Sequence, residues 1–330
     1  MNGKLDSVFK ATKIAEQKNV SGAPFPLVLS PNDVDRNYED FKRILSEYSG
    51  ELKDCLAEYG SILFRGFPIR GADEFEGCLE AARFEEMPYV GGAAPRRQVT
   101  NKRILTTNES PPSEKIPFHH EMSQVPSPPP YVFFYCEIPP ESGGQTGILH
   151  SHEMYNAFFE LAPEFAQKIE SSGVRYIRVM PPKDDETSPI GRSWPATFQT
   201  SDKNEAENKM TEMGMDWEWL ENGDLKTITK PLPAVRKDPQ TGKKTFFNSM
   251  VAAYMGWQDK RNDRKKAVVM PDGSYMDDAV MTALENIMEE KAVAFEWEKG
   301  DMLWVNNNLV LHSRYPFKGE RLILASIAAG

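Results

Sequence analysis

Phe118-His119-His120-Glu121-Met122 is the stretch from which the rest of this 330-residue chain is read. In extended backbone, successive side chains point to opposite faces. His119 and Glu121 then share one face, and His120 takes the other. An imidazole and a carboxylate side by side make two metal ligands. A third candidate stands far along the chain, in Asn306-Asn307-Asn308-Leu309-Val310-Leu311-His312-Ser313-Arg314. Two histidines and a carboxylate on one side of a divalent ion leave the opposite coordination positions open. A His-x-Glu triplet alone is common among surface and core histidines. Its weight here comes from scarcity, because the chain has only five histidines. His150 and His152 have the same spacing, but they open a helix. The residues that follow lack the second histidine of an H-E-x-x-H zinc motif.

For His312 to reach His119, late strands must return beside early ones. Tyr131-Val132-Phe133-Phe134-Tyr135-Cys136 is a β-prone run suited to a core strand. Shorter strands are expected at Pro24 to Leu29, Gly60 to Phe64, Gln145 to Leu149, Val174 to Val179, Ala292 to Trp297, Met302 to Val305 and Arg321 to Ala328. Three- and four-residue apolar spacing predicts helix over Asp40 to Tyr59, with a break near Ser49-Gly50. Further helices are expected at Asp73 to Phe84 with Asp73 as N-cap, and at His152 to Ile169 behind a Ser151 cap and interrupted near Pro163. Met276 to Lys291 is amphipathic. Residues 4–20 read as a polar edge element. Residues 181–245 read as a polar insertion, helical over Trp194 to Gly214. Many short strands with helical decoration predict a mainly β, α+β chain. The expected fold is a double-stranded β-helix, or jelly roll, forming one domain over 1–330. Residues 1–59 would supply N-terminal helical and edge elements.

Composition narrows the function. Hydrophobic residues make up 40% and charged residues 27%, ordinary for a globular chain. A formal net charge of −10 argues against nucleic-acid or anionic-membrane partners. Three cysteines without a C-x-x-C pair suit a reducing, cytoplasmic setting. Met1 to Val20 has no apolar leader core, Ala328-Ala329-Gly330 is no evident address signal, and no apolar run reaches the ~20 residues of a membrane span.

Phe118-His119-His120-Glu121-Met122 resembles the metal-binding segment of the clavaminate synthase-like members of the taurine dioxygenase-like Fe(II)/2-oxoglutarate oxygenases. That branch more often carries His-x-Asp. Gly143-Gly144-Gln145-Thr146 resembles its Gly-Gly-x-Thr, and Val310-Leu311-His312-Ser313-Arg314 its Val-x-His-Gly-Arg, with Ser in place of Gly. Lys318-Gly319-Glu320-Arg321-Leu322-Ile323-Leu324 is similar to its last strand. The resemblance runs from about Gly60 to the C-terminus. It implies Fe(II) on His119, Glu121 and His312, and 2-oxoglutarate on Thr146 and an arginine.

The chemistry suits these roles. The distal carboxylate of 2-oxoglutarate needs a cationic fork, which arginine supplies and lysine does not. Arg314 and Arg321 compete for that role. Arg321 is favoured, because it opens an apolar strand where a charge needs a partner. Asn108, Arg178 and Arg314 are candidates for contacting substrate. The Asn306 to Asn308 turn is a candidate for orienting His312. The implied reaction uses O2 and 2-oxoglutarate to oxidise a small, amino-acid-like molecule by hydroxylation, desaturation or cyclisation, with release of succinate and CO2. Two other readings stand beside it: a sulfonate or betaine oxygenase of the same branch, and a catalytically silent jelly roll that binds a ligand.

Overall fold

The computed structural model describes residues 4–32 and 37–329. Residues 1–3 and 330, which enter the two terminal readings, lie outside that range. An eight-stranded sheet carries Phe9–Thr12, Leu27–Pro31, Ser61–Phe64, Met302–Asn306, Tyr131–Ile138, Leu322–Ala329 and Glu85–Glu86 in that order, with Leu105–Thr106 also on the Leu322–Ala329 strand. A four-stranded sheet holds Val293–Phe295, Thr146–His150, Val310–Arg314 and Ile116–His119. These two sheets make the double-stranded β-helix.

Side-chain alternation explains the apolar runs. In Tyr131–Ile138, Val132, Phe134 and Cys136 face the space between the sheets, where they meet Ile148, Val293 and Val310. Phe133 and Tyr135 point the other way, into a core with Phe41, Leu52 and Phe75 from the helices Tyr38–Glu47, Ser49–Tyr59 and Gly71–Ala81. Both faces are covered, so nearly every position is apolar. The small sheet is backed by Met154, Phe158, Met250 and Leu284, which come from helices Ser151–Leu161, Met250–Gly256 and Asp278–Lys291.

Trp304 is fully buried, with ring centroids 4.8 Å from Phe64 and 5.1 Å from Phe84. Trp304→Ala should destabilise the fold by about 3–5 kcal/mol, read as a lower urea midpoint with an unchanged slope.

The helix break falls at Tyr48, as expected, and 4–20 does supply an edge strand, Phe9–Thr12. Two caps differ. Arg70 is the N-cap of Gly71–Ala81, and Asp73 sits inside the first turn. His150 is the N-cap of Ser151–Leu161, because the strand Thr146–His150 runs straight into the helix. The 181–245 stretch has helices Trp194–Phe198 and Lys203–Glu212. It also adds strands Asp216–Trp219 and Leu225–Ile228 to a separate four-stranded sheet built on Arg175–Met180 and Val268–Val269. Trp194 and Trp219 pack edge to face there, 5.0 Å apart, in a satellite core.

Candidate metal centre

Strand register brings the distant residues together. Ile116–His119 and Val310–Arg314 pair antiparallel with His119 directly opposite His312, and their rings lie 4.3 Å apart. Glu121 arrives differently from the extended-segment expectation. The strand ends at His119, and the chain enters a turn in which Met122 takes a left-handed φ of 54°. Asn307 sets this turn. Its Oδ1 accepts the Glu121 N–H at 2.8 Å, while its Nδ2 donates to the carbonyls of Glu121 at 3.0 Å and Pro129 at 2.7 Å. The Asn306 to Asn308 turn therefore positions Glu121 rather than His312.

One ligand atom from each of His119, Glu121 and His312 lies within 4.8 Å of the others, a group able to hold a metal ion. His119 Nδ1 is 2.8 Å from the Pro117 carbonyl, so Nδ1 carries the proton and Nε2 keeps its lone pair. His312 Nε2 is 3.5 Å from Glu121 Oε2. Its Nδ1 is buried without a hydrogen bond among the described residues, and the ring packs 5.2 Å from Phe134. His120 points away, as expected. It stacks on Phe247 at 4.3 Å, donates from Nδ1 to the Asn307 carbonyl, and accepts the Ser151 hydroxyl at Nε2 (2.8 Å).

Electrostatics keep His119 and Glu121 in ligand form. Burial, then the neighbouring His312, holds His119 down to about 4, so it is neutral at neutral pH. Burial alone would raise the Glu121 carboxyl. Arg96 and His312 outweigh it and hold the group well below the ordinary carboxylate range. Arg96 Nη2 donates to Glu121 Oε2 at 2.9 Å, and both side chains are buried. Nothing in Gly91-Gly92-Ala93-Ala94-Pro95-Arg96-Arg97 distinguishes Arg96 from Arg97, which points to solvent and pairs with Glu109 at 2.5 Å. Sequence reasoning missed Arg96 for that reason.

One cavity is lined by all three candidate ligands and also by Thr146, Arg314 and Arg321. Arg321 donates from Nε to the Gly144 carbonyl at 3.0 Å and has no carboxylate partner among the described residues. Burial, then the charge of Arg314, lowers it to about 9. Gly144 has a φ of 68°, and a Cβ there would meet Arg321 Cδ at 3.0 Å. The glycine lets the arginine lie against the backbone.

Comparison with known proteins decides the family. The profile of the taurine catabolism dioxygenase TauD, TfdA family matches residues 22–327. The chain belongs to that family. It is 46% identical over 321 residues to a clavaminate synthase-like protein of Arabidopsis thaliana, covering 96% of this chain and 97% of the relative. Two solved structures share the fold at low identity. A taurine dioxygenase from Burkholderia xenovorans has a TM-score of 0.54 at 16% identity, over 95% of this chain and 89% of that one. PvcB of Pseudomonas aeruginosa, an Fe, alpha-ketoglutarate dependent oxygenase from an isonitrile synthetic pathway, has a TM-score of 0.51 at 14% identity, over 92% and 86%. This TauD-family chain is a non-haem Fe(II)/2-oxoglutarate-dependent oxygenase.

The residues present suit those groups. His119 offers a free Nε2, Glu121 is ionised, and Arg321 is a half-buried cation lining the same cavity with no carboxylate partner among the described residues. Arg314, the competitor, is occupied by the carbonyls of Asn108, Ser110, Pro111 and Glu114, and so ties down the 108–114 loop. Thr146 Oγ1 accepts from Trp297 Nε1 at 3.1 Å. Asn108 lines the cavity, and its Oδ1 accepts the Ser110 N–H. Arg178 does not line it. Its guanidinium donates to Thr197 Oγ1 at 2.9 Å in an adjoining recess, because its strand belongs to the separate sheet with Leu225–Ile228 and not to the two sheets of the β-helix. Among the described residues, His150 and His152 belong to no group of three able to hold a metal, and His152 Nδ1 is 2.8 Å from the Lys244 carbonyl. Among the described residues, no helix is long and apolar enough to cross a membrane.

Asn307→Ala in this TauD-family protein should weaken Fe(II) binding about 10–100-fold, the usual effect of losing an outer partner of a metal ligand. Anaerobic Fe(II) titration checks this.

Proposed function

We propose that His119 Nε2, Glu121 and His312 hold Fe(II), that Arg321 and Thr146 anchor 2-oxoglutarate, and that the enzyme oxidises a C–H bond of a small, amino-acid-like molecule. One observation supports this reading: the three candidate ligands and an arginine with no counter-anion among the described residues line a single cavity. The bound iron, with 2-oxoglutarate and O2, supplies the oxidising power and yields succinate and CO2.

The residues divide the rest of the work. Pro117 fixes the His119 tautomer through its carbonyl, and Asn307 holds the Glu121 turn. Arg96 keeps Glu121 ionised. Arg321 donates to the distal carboxylate, with the Thr146 hydroxyl lining the same cavity. Phe134 and Trp257 wall the cavity with apolar surface that excludes water. The amino-acid-like substrate rests on the clavaminate synthase-like relative. We further propose that 1–330 acts as one oxygenase domain, with 1–59 and 181–245 as decoration.

The test is a screen of amino acids and small carboxylates for substrate-stimulated succinate release. It is paired with the visible charge-transfer band of Fe(II) and 2-oxoglutarate under anaerobic conditions. Absence of both the band and any succinate would refute the reading.

A further inference from the structure

Among the described residues, Glu121 is the one acid lining the cavity, against four basic side chains: Arg96, Lys115, Arg314 and Arg321. Lys115 is neutralised by Glu285 and Glu289, outside the cavity wall. Arg314 is occupied by backbone carbonyls. Arg321 is committed to 2-oxoglutarate in the reading above. Arg96 remains.

Arg96 has different neighbours. Arg321 lies against the Gly144 carbonyl, whereas Arg96 lies against Glu121 and the Tyr89 ring. The Arg96 guanidinium lies over the Tyr89 ring at 4.3 Å, and Arg192 lies over the same ring at 4.7 Å. Arg192 is also buried, and it bonds to the carbonyls of Ala94 and Ala196. Glu121 is the one carboxylate paired with Arg96 among the described residues, whereas the acid bearing on Arg192 is Asp184. The Arg96 side chain is only 5% exposed, and its Nε and Nη1 have no hydrogen-bond partner among the described residues. Unpaired buried donors of a cation are costly, and a ligand anion would satisfy them. Glu121 cannot offset everything here. A divalent ion and the cavity arginines outweigh Glu121 and the two carboxylates of 2-oxoglutarate together. The rest of the wall is mostly apolar and includes Ala93, Ile116, Ile190, Ala252 and Trp257.

We propose that Arg96, laid on Tyr89 beside Glu121, is the receptor for a carboxylate on the substrate, so that this oxygenase takes an organic carboxylate with a small apolar body. The proposal rests on the Fe(II)/2-oxoglutarate reading of the same cavity. It adds a second anion site opposite in purpose to Arg321: one arginine holds the cosubstrate, the other the molecule to be oxidised. Arg96 also touches a metal ligand, so substrate charge and metal environment are joined through one side chain.

The experiment uses the full chain loaded with Fe(II) and 2-oxoglutarate, without oxygen. It is titrated with 4-methylpentanoate, 4-methylpentanamide and 3-methylbutane-1-sulfonate. Perturbation of the charge-transfer band and the rise in Tm are both read. The acid should bind about 30-fold more tightly than the amide, the factor expected for a charge-assisted bond. Arg96→Gln should bring the two within about threefold, and Arg96→Lys should restore part of the difference. An Arg96 that only supports the fold would lower Tm in the Gln variant yet leave the acid-to-amide ratio intact, which overturns the proposal. Saturable binding by neither compound, or tighter binding by the sulfonate, overturns it as well. If the wild-type band never forms but the acid still raises Tm with the same ratio, the cosubstrate reading falls and the Arg96 site stands.

Discussion

Glu121→Gln is expected to weaken Fe(II) binding by about two orders of magnitude and to reduce turnover to the limit of detection. A four-ligand zinc site contributes roughly 10–16 kcal/mol, or about 3 kcal/mol per ligand. At 1.4 kcal/mol per decade, that is about a hundredfold. The amide keeps the size of the carboxylate and loses its charge, so the loss reports on coordination rather than packing. A second consequence follows from Arg96, which bonds to Glu121 at 2.9 Å inside the protein. Without the carboxylate, Arg96 becomes a buried cation lacking its partner. Breaking such a pair costs about 3–5 kcal/mol. The metal-free variant should therefore also melt earlier than the metal-free wild type. Anaerobic Fe(II) titration and a thermal scan separate the two effects. An iron affinity within fivefold of wild type would remove Glu121 from the ligand set.

Arg321→Gln carries the second large effect, and its sign differs between binding and stability. Truncating one partner of a buried charge pair costs about 2–5 kcal/mol. The dissociation constant for 2-oxoglutarate should therefore rise by about two orders of magnitude, read from the charge-transfer band as cosubstrate is added. The protein without cosubstrate should not lose stability. Burial works against the Arg321 charge, and the only hydrogen bond of its guanidinium among the described residues is to the Gly144 carbonyl. Glutamine removes a charge that folding had to desolvate. A lower Tm in the variant together with unchanged 2-oxoglutarate affinity would mean that Arg321 is a fold residue and that the distal carboxylate sits elsewhere.

Tyr131–Ile138 was legible because a strand covered on both faces is apolar at almost every position, a pattern visible without coordinates. The two helices before Tyr59 were legible from spacing. The cap residues were harder. Asp73 and Ser151 have the right chemistry, but the preceding chain decides where a helix begins. Ser151 instead gives its hydroxyl to His120, a partner far away in sequence.

The candidate site divides in the same way. His119, Glu121 and His312 could be picked out because so few histidines compete, whereas the left-handed φ of Gly144 and its close approach to Arg321 appear only in the structure. Arg96 and Arg97 are neighbours of the same type in an irregular loop, yet one is buried against Glu121 and the other faces solvent. No local pattern separates them.

The chain by itself determined the main core strands and the longer helices, and which side chains have metal and anion chemistry, because those depend on near neighbours and residue type. Only the tertiary structure decided that His119 stands opposite His312, that Asn307 holds the Glu121 turn, and that Arg96 turns inward. Those depend on strand register and on which charges are forced out of water together, and neither is written in any one stretch.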